Sequence, residues 1–416
     1  MANMTIKLRS KIILAAGTLL LAGSALAQVK IAYIDPLSGM MGATGEHSLR
    51  EFQFAVERVN ARGGVLGKKF EMVPLDNKLS PQESIVQLNR AIDQGIRYVV
   101  QGNGSSVAAA LIEAINKHNA RNPDKAVLYL NYAAVDPDFT NSKCSFWHFR
   151  FDANSDMKLE ALTNVMKGDK RIKKIYIFGQ DYSFGHQVSA TARGMIAQKR
   201  PDIKIVGDEL HPLARIKDFS PYIAKIKASG ADSIITGNWG SDLALLIKAA
   251  KDAGLKSHFY TFYAGAVGAP TAIGEAGIDR VKVVSYHSEA GFTEEGRKYV
   301  ADYKTRHGQI DDPYTQAAAN AIGMLAAAME KANGVEPARV AKALEGMRYD
   351  SITGEVQMRA SDHQLIQPLF IETFARVDGK KVKLNADGVL EYGFRNDQRV
   401  EAYATTLPTS CVMERP

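Results

Sequence analysis

The sequence contains few of the features that mark unusual architectures. Only Cys144 and Cys411 are cysteines among 416 residues. There is no long run of one charge, no low-complexity tract and no tandem repeat, which excludes disordered, collagen-like and repeat-array proteins. Beyond the N-terminus, no apolar run reaches the roughly 18 residues that a membrane span needs. At 46% hydrophobic and 23% charged residues, the composition is typical of a globular protein with two or three domains.

Motifs of catalysis are also missing. The sequence has no G-x-x-x-x-G-K-[ST] phosphate loop, no H-E-x-x-H zinc motif and no G-x-S-x-G nucleophile elbow. Its nine histidines are scattered, without the spacing of metal ligands. The segment Gly102–Val107 follows a predicted strand, as a dinucleotide-binding loop does, but Val107 replaces the third glycine of that fingerprint. We therefore expect no enzymatic activity, no cofactor and no metal.

Residues 1–27 have the pattern of a cleavable signal peptide. Three basic residues precede a short apolar run, Ile12–Gly23, and Ala25-Leu26-Ala27 matches the small-x-small cleavage site. An N-terminal membrane anchor is the alternative. Loss of the three basic residues lowers the net charge from +7 to +4, so the basic excess gives little reason to expect nucleic-acid binding.

Export suggests a disulfide. Exported chains fold in oxidising compartments, and two cysteines allow one bridge, between Cys144 and Cys411. Two separately buried thiols are the alternative. The bridge would join the C-terminal tail to the middle of the chain.

The exported part alternates strands and helices. Short apolar runs such as Val29–Ile34 and Tyr98–Gln101 read as strands, and segments with helical periodicity such as Glu46–Asn60 lie between them. Ser80-Pro81-Gln82-Glu83 is a capping box that starts a helix. The βαβα order predicts a doubly wound parallel sheet. The order restarts after Phe149, so we expect an α/β protein with two such units.

The loop Gly104-Ser105-Ser106 is a candidate anion site. It precedes a predicted helix, whose free N–H groups and positive dipole end favour a negative charge. Ser105 and Ser106 can also donate hydrogen bonds. Plain N-capping of the helix by serine is the alternative interpretation.

Several segments in order resemble one protein family. The segments that carry the resemblance are Pro36-Leu37-Ser38-Gly39, Val59 through Lys69, the Gly102–Ser106 loop, Asp181-Tyr182-Ser183-Phe184-Gly185 and Ala249–Gly254. The chain resembles periplasmic solute-binding proteins of the branched-chain amino-acid transport type. The resemblance covers about residues 30–374. It implies a type I periplasmic binding fold, with two α/β lobes joined by three crossing strands. The implied domains are 28–149 with 286–362, and 150–285 with 363–416, the latter carrying a C-terminal extension.

The resemblance also implies ligand-binding positions. Ser105, with Ser106 beside it, matches the serine that holds the solute carboxylate, and Ala133 matches a main-chain carbonyl position. Val135 stands where the amino-acid binders have a hydroxyl residue. The other implied positions are Thr44 at the cleft mouth and four aromatic residues: Phe184, Trp239, Tyr263 and Tyr314.

One departure from the family bears on the solute. The amino-acid binders carry an acidic residue that pairs with the ammonium group, near the position of Tyr263. A buried ammonium without a counter-charge is costly. Asp181 could substitute, although it is also placed to cap the adjacent turn. The cleft thus suits an aromatic or other organic carboxylate, and a branched-chain amino acid or amide is the alternative.

The resemblance implies a role in transport. Such proteins are periplasmic, close on a solute and present it to a membrane permease that is driven by ATPase subunits. We expect a monomer that works in this way. An exported hydrolase on a related fold and a ligand sensor that serves a receptor are the alternatives.

Overall fold

The computed structural model describes residues 28–308, 312–387 and 391–416. The predicted signal peptide, residues 1–27, lies outside this part of the chain. None of the helices in the described ranges combines the length and the apolarity that crossing a membrane requires.

The first sheet consists of five parallel strands in the order β2-β1-β3-β4-β5. Their apolar side chains are buried against helices on both faces, as expected for parallel strands. The strands are β1 Val29–Asp35, β2 Phe70–Asp76, β3 Tyr98–Gln101, β4 Leu128–Asn131 and β5 His148–Arg150. The helices that follow them in turn are α1 Gly42–Ala61, α2 Pro81–Asp93 and α3 Ser105–Arg121. At the start of α2 only half of the predicted capping box forms: the Ser80 side chain accepts from Glu83 N at 3.3 Å, whereas Ser80 N donates to Asn77 O at 2.9 Å.

The second sheet has seven strands in the order β15-β14-β10-β9-β8-β6-β7. Strands β6 to β10 are parallel, whereas β14 and β15 are added antiparallel at one edge. The strands are β6 Lys174–Gln180, β7 Lys204–His211, β8 Ser233–Thr236, β9 His258–Thr261, β10 Val281–Ser285, β14 Leu369–Arg376 and β15 Tyr392–Val400. The intervening helices are α4 Ser155–Gly168, α5 Ser183–Lys199, α6 Ser220–Ser229, α7 Gly240–Asp252 and α8 Ala269–Ile273.

A third, small antiparallel sheet was not anticipated from the sequence. It has the order β11-β12-β13 and comprises β11 Arg348–Ser351, β12 Gly354–Met358 and β13 Leu365–Ile366. Before it come three helices, α9 Glu294–His307, α10 Pro313–Ala332 and α11 Pro337–Leu344. Helix α10 packs on α1, which places this segment with the first sheet.

The chain passes between the two large sheets at three places along its course. These are the segment from β5 to α4, the segment from β10 to α9, and the short link from β13 to β14. Arg150 is fully buried at the first crossing, where its Nε donates to Gln364 Oε1 at 2.8 Å. The structure thus has the predicted fold class, two α/β units with crossing connections. The residue limits of the two predicted domains stay a prediction.

The predicted disulfide is confirmed. Cys144 and Cys411 are bonded, with their Cα atoms 5.7 Å apart. After β15, the short helix α12 Ala402–Thr405 contacts α4, on the second sheet's side. The chain then returns to the first sheet, where the Thr409 hydroxyl donates to Thr140 O and the Arg415 guanidinium donates to Glu345. The tail is therefore a further connection between the two α/β units.

Candidate functional site

A narrow cavity lies where the two α/β units face each other. It is lined from both sides by the loops at the carboxyl ends of strands, the usual place for ligands in open parallel sheets. Seven of the ten predicted binding residues lie in its wall. The lining comprises Gly102, Asn103, Gly104, Ser105, Ala133, Ala134, Val135, Tyr182, Phe184, Trp239, Tyr263 and Tyr314.

The loop after β3 is held in place from below by Asp35. The Asp35 carboxylate accepts from Gly102 N at 3.2 Å, from Asn103 N at 3.0 Å and from the Tyr132 hydroxyl at 2.7 Å. Burial raises the pKa of Asp35 to about 7, even though these hydrogen bonds favour the charged form. The loop therefore has a fixed shape, and its supporting carboxyl titrates near neutral pH.

Helix α3 begins in this loop without a side-chain cap. Its N-cap is Gly104, with φ +92°, and no side chain caps the helix, so neither serine does the work of an N-cap. Ala108 N makes the first backbone bond of the helix, to Gly104 O at 3.1 Å. The N–H groups of Ser105, Ser106 and Val107 precede that bond, and such groups have no partner within a helix. Together with the Ser105 hydroxyl, they form a donor set suited to an anion.

The turn after β4 forms the adjoining part of this wall. The Asn131 side chain accepts from Ala133 N and Ala134 N, at 3.2 and 2.8 Å, and donates to Ala134 O at 2.8 Å. Val135 O accepts from Ser155 N at 2.9 Å, which joins the turn to the start of α4. Val135 adds an apolar side chain to the wall.

The opposite wall is aromatic. Phe184 and Trp239 are 2% and 4% exposed. The ring of Tyr182 lies 5.7 Å from that of Phe184, and its hydroxyl accepts from Trp239 Nε1 at 2.9 Å. Gly237 leaves room for Phe184, since a Cβ there would meet the ring at 2.8 Å. These contacts hold the side chains together as one aromatic wall, in which the rings of Tyr182 and Phe184 are tilted by 54°.

Tyr263 and Tyr314 complete the lining. Burial raises the pKa of both hydroxyls, so they are neutral. Behind Tyr263, the Lys158 Nζ lies 4.8 Å from the ring centre and pairs with Asp152 at 2.9 Å. Among the described residues, the wall of the cavity contains no charged side chain.

Three predicted residues are not in the wall. Ser106 is half-buried in the first turn of α3. Asp181 is exposed and pairs with His186 Nε2 at 2.9 Å, so the structure does not place it as a partner for a ligand ammonium. Thr44 is buried at the contact between the two units. Gly240 of the second unit lies so close that a Cβ on it would be 3.3 Å from the Thr44 hydroxyl oxygen. The Ser241 hydroxyl also reaches Met41 Sδ at 3.6 Å, so the cleft is closed.

A buried cluster near the start of α10 has the composition of a metal site. His47, Glu51 and Asp312 place ligand atoms within 4.8 Å of one another. Burial lowers the pKa of His47, but Asp312 and Glu51 together raise it to about 9. Its Nε2 is 3.4 Å from each carboxylate. Burial also raises the pKa of Glu51, whose Oε1 accepts from the Thr315 hydroxyl at 2.6 Å.

Sequence reasoning missed three residues of the site. Tyr182 lies inside the Asp181–Gly185 motif, and Asn103 lies inside the candidate anion loop, so both were within reach. Asp35 carries a weaker signal, a charged residue at the end of an apolar strand. A buried carboxylate is destabilising unless surrounding hydrogen-bond donors compensate for its loss of hydration.

Comparison with known proteins identifies the family. The family described as periplasmic binding protein matches residues 28–381. The Leu/Ile/Val-binding protein homolog 4 of Brucella abortus is 34% identical over 406 residues, 95% of each chain.

Solved structures agree. A leucine-, isoleucine-, valine-, threonine- and alanine-binding protein from Brucella ovis, in a closed conformation, has a TM-score of 0.82 and 32% identity, covering 94% of this chain and 100% of that one. A solute-binding protein of an ABC transporter from Rhodopseudomonas palustris, in complex with 3,4-dihydroxybenzoic acid, has a TM-score of 0.78 and 18% identity over 90% and 98% of the two chains. The chain belongs to the periplasmic binding protein family, in its branched-chain amino-acid type, which is a family of solute-binding proteins and not of enzymes.

Proposed function

We propose that this protein captures a small aromatic carboxylate in the periplasm and delivers it to an ABC permease. The observation that carries the proposal is the lining of the cleft. One wall offers the uncapped N-terminus of α3, the other offers aromatic rings, and the described lining has no charged side chain.

The carboxylate belongs at Ser105. Main-chain N–H groups and a hydroxyl there can bind an anion without a cationic side chain. Charge-assisted hydrogen bonds of this kind are shorter and stronger than neutral ones. The aromatic ring would then lie against Phe184, Trp239 and Tyr263, where each well-placed ring pair adds roughly 0.5–1.5 kcal/mol beyond area burial.

An amino acid fits this lining less well. Its ammonium group would be buried among neutral groups, because Asp181 is turned away to His186. An uncompensated charge in such a site costs several kcal/mol. The names of the Brucella relatives favour a branched-chain amino acid, which is the second candidate. Relatives crystallised with 3,4-dihydroxybenzoic acid and 4-hydroxybenzoate share the fold and support the first.

Calorimetric titration with matched pairs tests the choice directly. L-Phenylalanine and 3-phenylpropanoate differ only in the ammonium group, and so do L-leucine and 4-methylpentanoate. With benzoate as a further ligand, we expect each acid to bind more tightly than its amino acid. Tight binding of leucine with no detectable binding of an aromatic acid would overturn the aromatic proposal and leave the transport role in place.

Closure of the two α/β units around the ligand can be measured separately. Two α/β units linked by crossing segments commonly close around a ligand, and Met41 and Thr44 meet Gly240 and Ser241 in the closed state described here. Small-angle scattering should show a smaller radius of gyration at saturating ligand. An unchanged radius would contradict closure.

A further inference from the structure

The hydroxyl of Tyr182 has a fixed role in its hydrogen bond with Trp239. An indole N–H can only donate, so the Tyr182 oxygen is the acceptor in the 2.9 Å contact. Burial raises the pKa of Tyr182 well above its ordinary value, so the hydroxyl keeps its proton. Tyr182 therefore still has one donor to place.

That donor has no acceptor among the described residues. The contact with Trp239 is the one hydrogen bond that the Tyr182 hydroxyl makes there, and the side chain lines the cleft. Tyr182 is half-buried, so water can satisfy this donor when no ligand is bound, and a ligand that displaces the water must offer an acceptor or leave the donor unsatisfied. A ligand oxygen is the group that would satisfy it.

The position of Tyr182 determines which ligand oxygen. Ser105 begins α3 on the first sheet, whereas Tyr182 follows β6 on the second. Both residues line the cavity, Ser105 from the first sheet and Tyr182 from the second, so an aromatic acid whose carboxylate binds at Ser105 would direct its para position toward the wall that contains Tyr182. We infer that Tyr182 is a specificity-determining residue that selects aromatic carboxylates carrying an oxygen acceptor opposite the carboxylate. This inference rests on the proposed function.

Tyr263 and Tyr314 provide matched controls. They are neutral, buried tyrosines in the same wall. The Trp239 indole donates to the Tyr182 oxygen and so restricts the direction in which the Tyr182 hydroxyl can donate. No donor among the described residues restricts the hydroxyls of Tyr263 and Tyr314 in this way.

The experiment is a titration of 4-hydroxybenzoate, 4-aminobenzoate and benzoate against four proteins: wild type, Tyr182→Phe, Tyr263→Phe and Tyr314→Phe. The amino compound has nearly the size of the hydroxy compound but is a poor acceptor. In the wild type we expect 4-hydroxybenzoate to bind about 2- to 12-fold more tightly than the other two, the ratio that one neutral hydrogen bond gives. In Tyr182→Phe the ratio should fall to about 1, and in the other two variants it should persist.

The ratio is robust to damage in the variant. Tyr182→Phe leaves the Trp239 N–H without its acceptor, which lowers stability and affinity for all three ligands alike, so the effect cancels. Thermal unfolding checks that each variant is folded. An unchanged ratio in Tyr182→Phe, or equal binding of all three acids by the wild type, overturns the inference while aromatic-carboxylate binding stands. If the wild type binds none of the acids, the proposed function itself fails.

Discussion

The two walls of the cleft are built from the same unit, a parallel strand followed by a helix, but they present different chemistry. The first wall is made of main-chain N–H groups, and a buried carboxylate, Asp35, holds their loop in place. The second wall is made of aromatic side chains that hold one another, as Tyr182 holds Trp239. We infer that the first wall provides the charge-binding site and the second decides which molecule is attached to the charge.

The sequence predicted residues of both walls, but the role of Ser105 was easier to predict than that of Tyr182. Ser105 was predictable because a strand, a glycine-rich loop and a helix follow one another within a short stretch of sequence. The preference of a helix N-terminus for an anion does not depend on contacts with distant residues. Tyr182 was not predictable in its role, because its partner Trp239 is far away in sequence and only the sheet brings them together. The small sheet β11–β13 was missed for a similar reason: its strands are short and carry few apolar residues, so their pairing depends on tertiary contacts.

The largest effect should come from the tail that links the two units. In Cys144→Ser combined with Cys411→Ser, the free energy of unfolding should fall by about 2–5 kcal/mol, the usual cost of losing a native disulfide. Chemical denaturation of the wild type with and without reductant, and of the variant, measures it. Reductant serves as the control, since it should leave the variant unchanged. Equal stability of oxidised and reduced wild type would contradict the prediction.

The first wall is tested by Ser105→Ala. If the hydroxyl donates to a ligand carboxylate, its removal should weaken binding of benzoate by roughly 1.5–3 kcal/mol, or ten- to a hundredfold and more. Ser106→Ala is the matched control, because Ser106 is the next residue of the same helix and is not in the wall. Similar losses in both variants would point to the helix end as a whole and not to the Ser105 hydroxyl.

The contact between the walls is tested by Gly240→Ala. Gly240 has φ +58°, and a Cβ there would lie 2.6 Å from Met41 Sδ and 3.3 Å from the Thr44 hydroxyl. Backbone strain at such a φ costs about 1 kcal/mol by itself. Gly254→Ala controls for it, since Gly254 has φ +63° and nothing within 4 Å of its Cβ. Ligand affinity, by titration, should fall several-fold in Gly240→Ala and stay unchanged in Gly254→Ala; equal affinities would show that closure does not use this contact.

Asp35, which supports the first wall, is expected to make both stability and ligand affinity depend on pH. The pKa of Asp35 is raised from 3.8 to about 7, so between these values the folded protein holds a proton that the unfolded chain has lost, and stability falls as pH rises through this window. A bound anion next to the loop favours the protonated carboxyl, so benzoate affinity should fall a few-fold between about pH 6 and pH 8.

Glu372 is the control for that effect. Its pKa is also raised to about 7 by burial, yet it bonds Ser288 and is not in the wall. Glu372→Gln should reduce the pH dependence of stability and leave that of affinity as in the wild type, whereas Asp35→Asn should reduce the pH dependence of stability and remove that of affinity. A pH-independent affinity in the wild type would contradict the role of Asp35.

The smallest effect is expected on the second wall, at Asp181. If the ligand were an amino acid, an acidic residue would have to meet its ammonium, and Asp181 is the candidate that the sequence offered. In the closed structure, however, its carboxylate is exposed and is paired with His186. Exposed pairs of this kind contribute little to stability, so Asp181→Asn should change neither the unfolding midpoint nor the affinity for benzoate or leucine by more than about twofold. Ser105→Ala provides the positive control in the same titrations. A selective loss of leucine binding in Asp181→Asn would mean that the loop turns inward when an amino acid is present, and it would reverse the comparison by giving the aromatic wall a charge of its own.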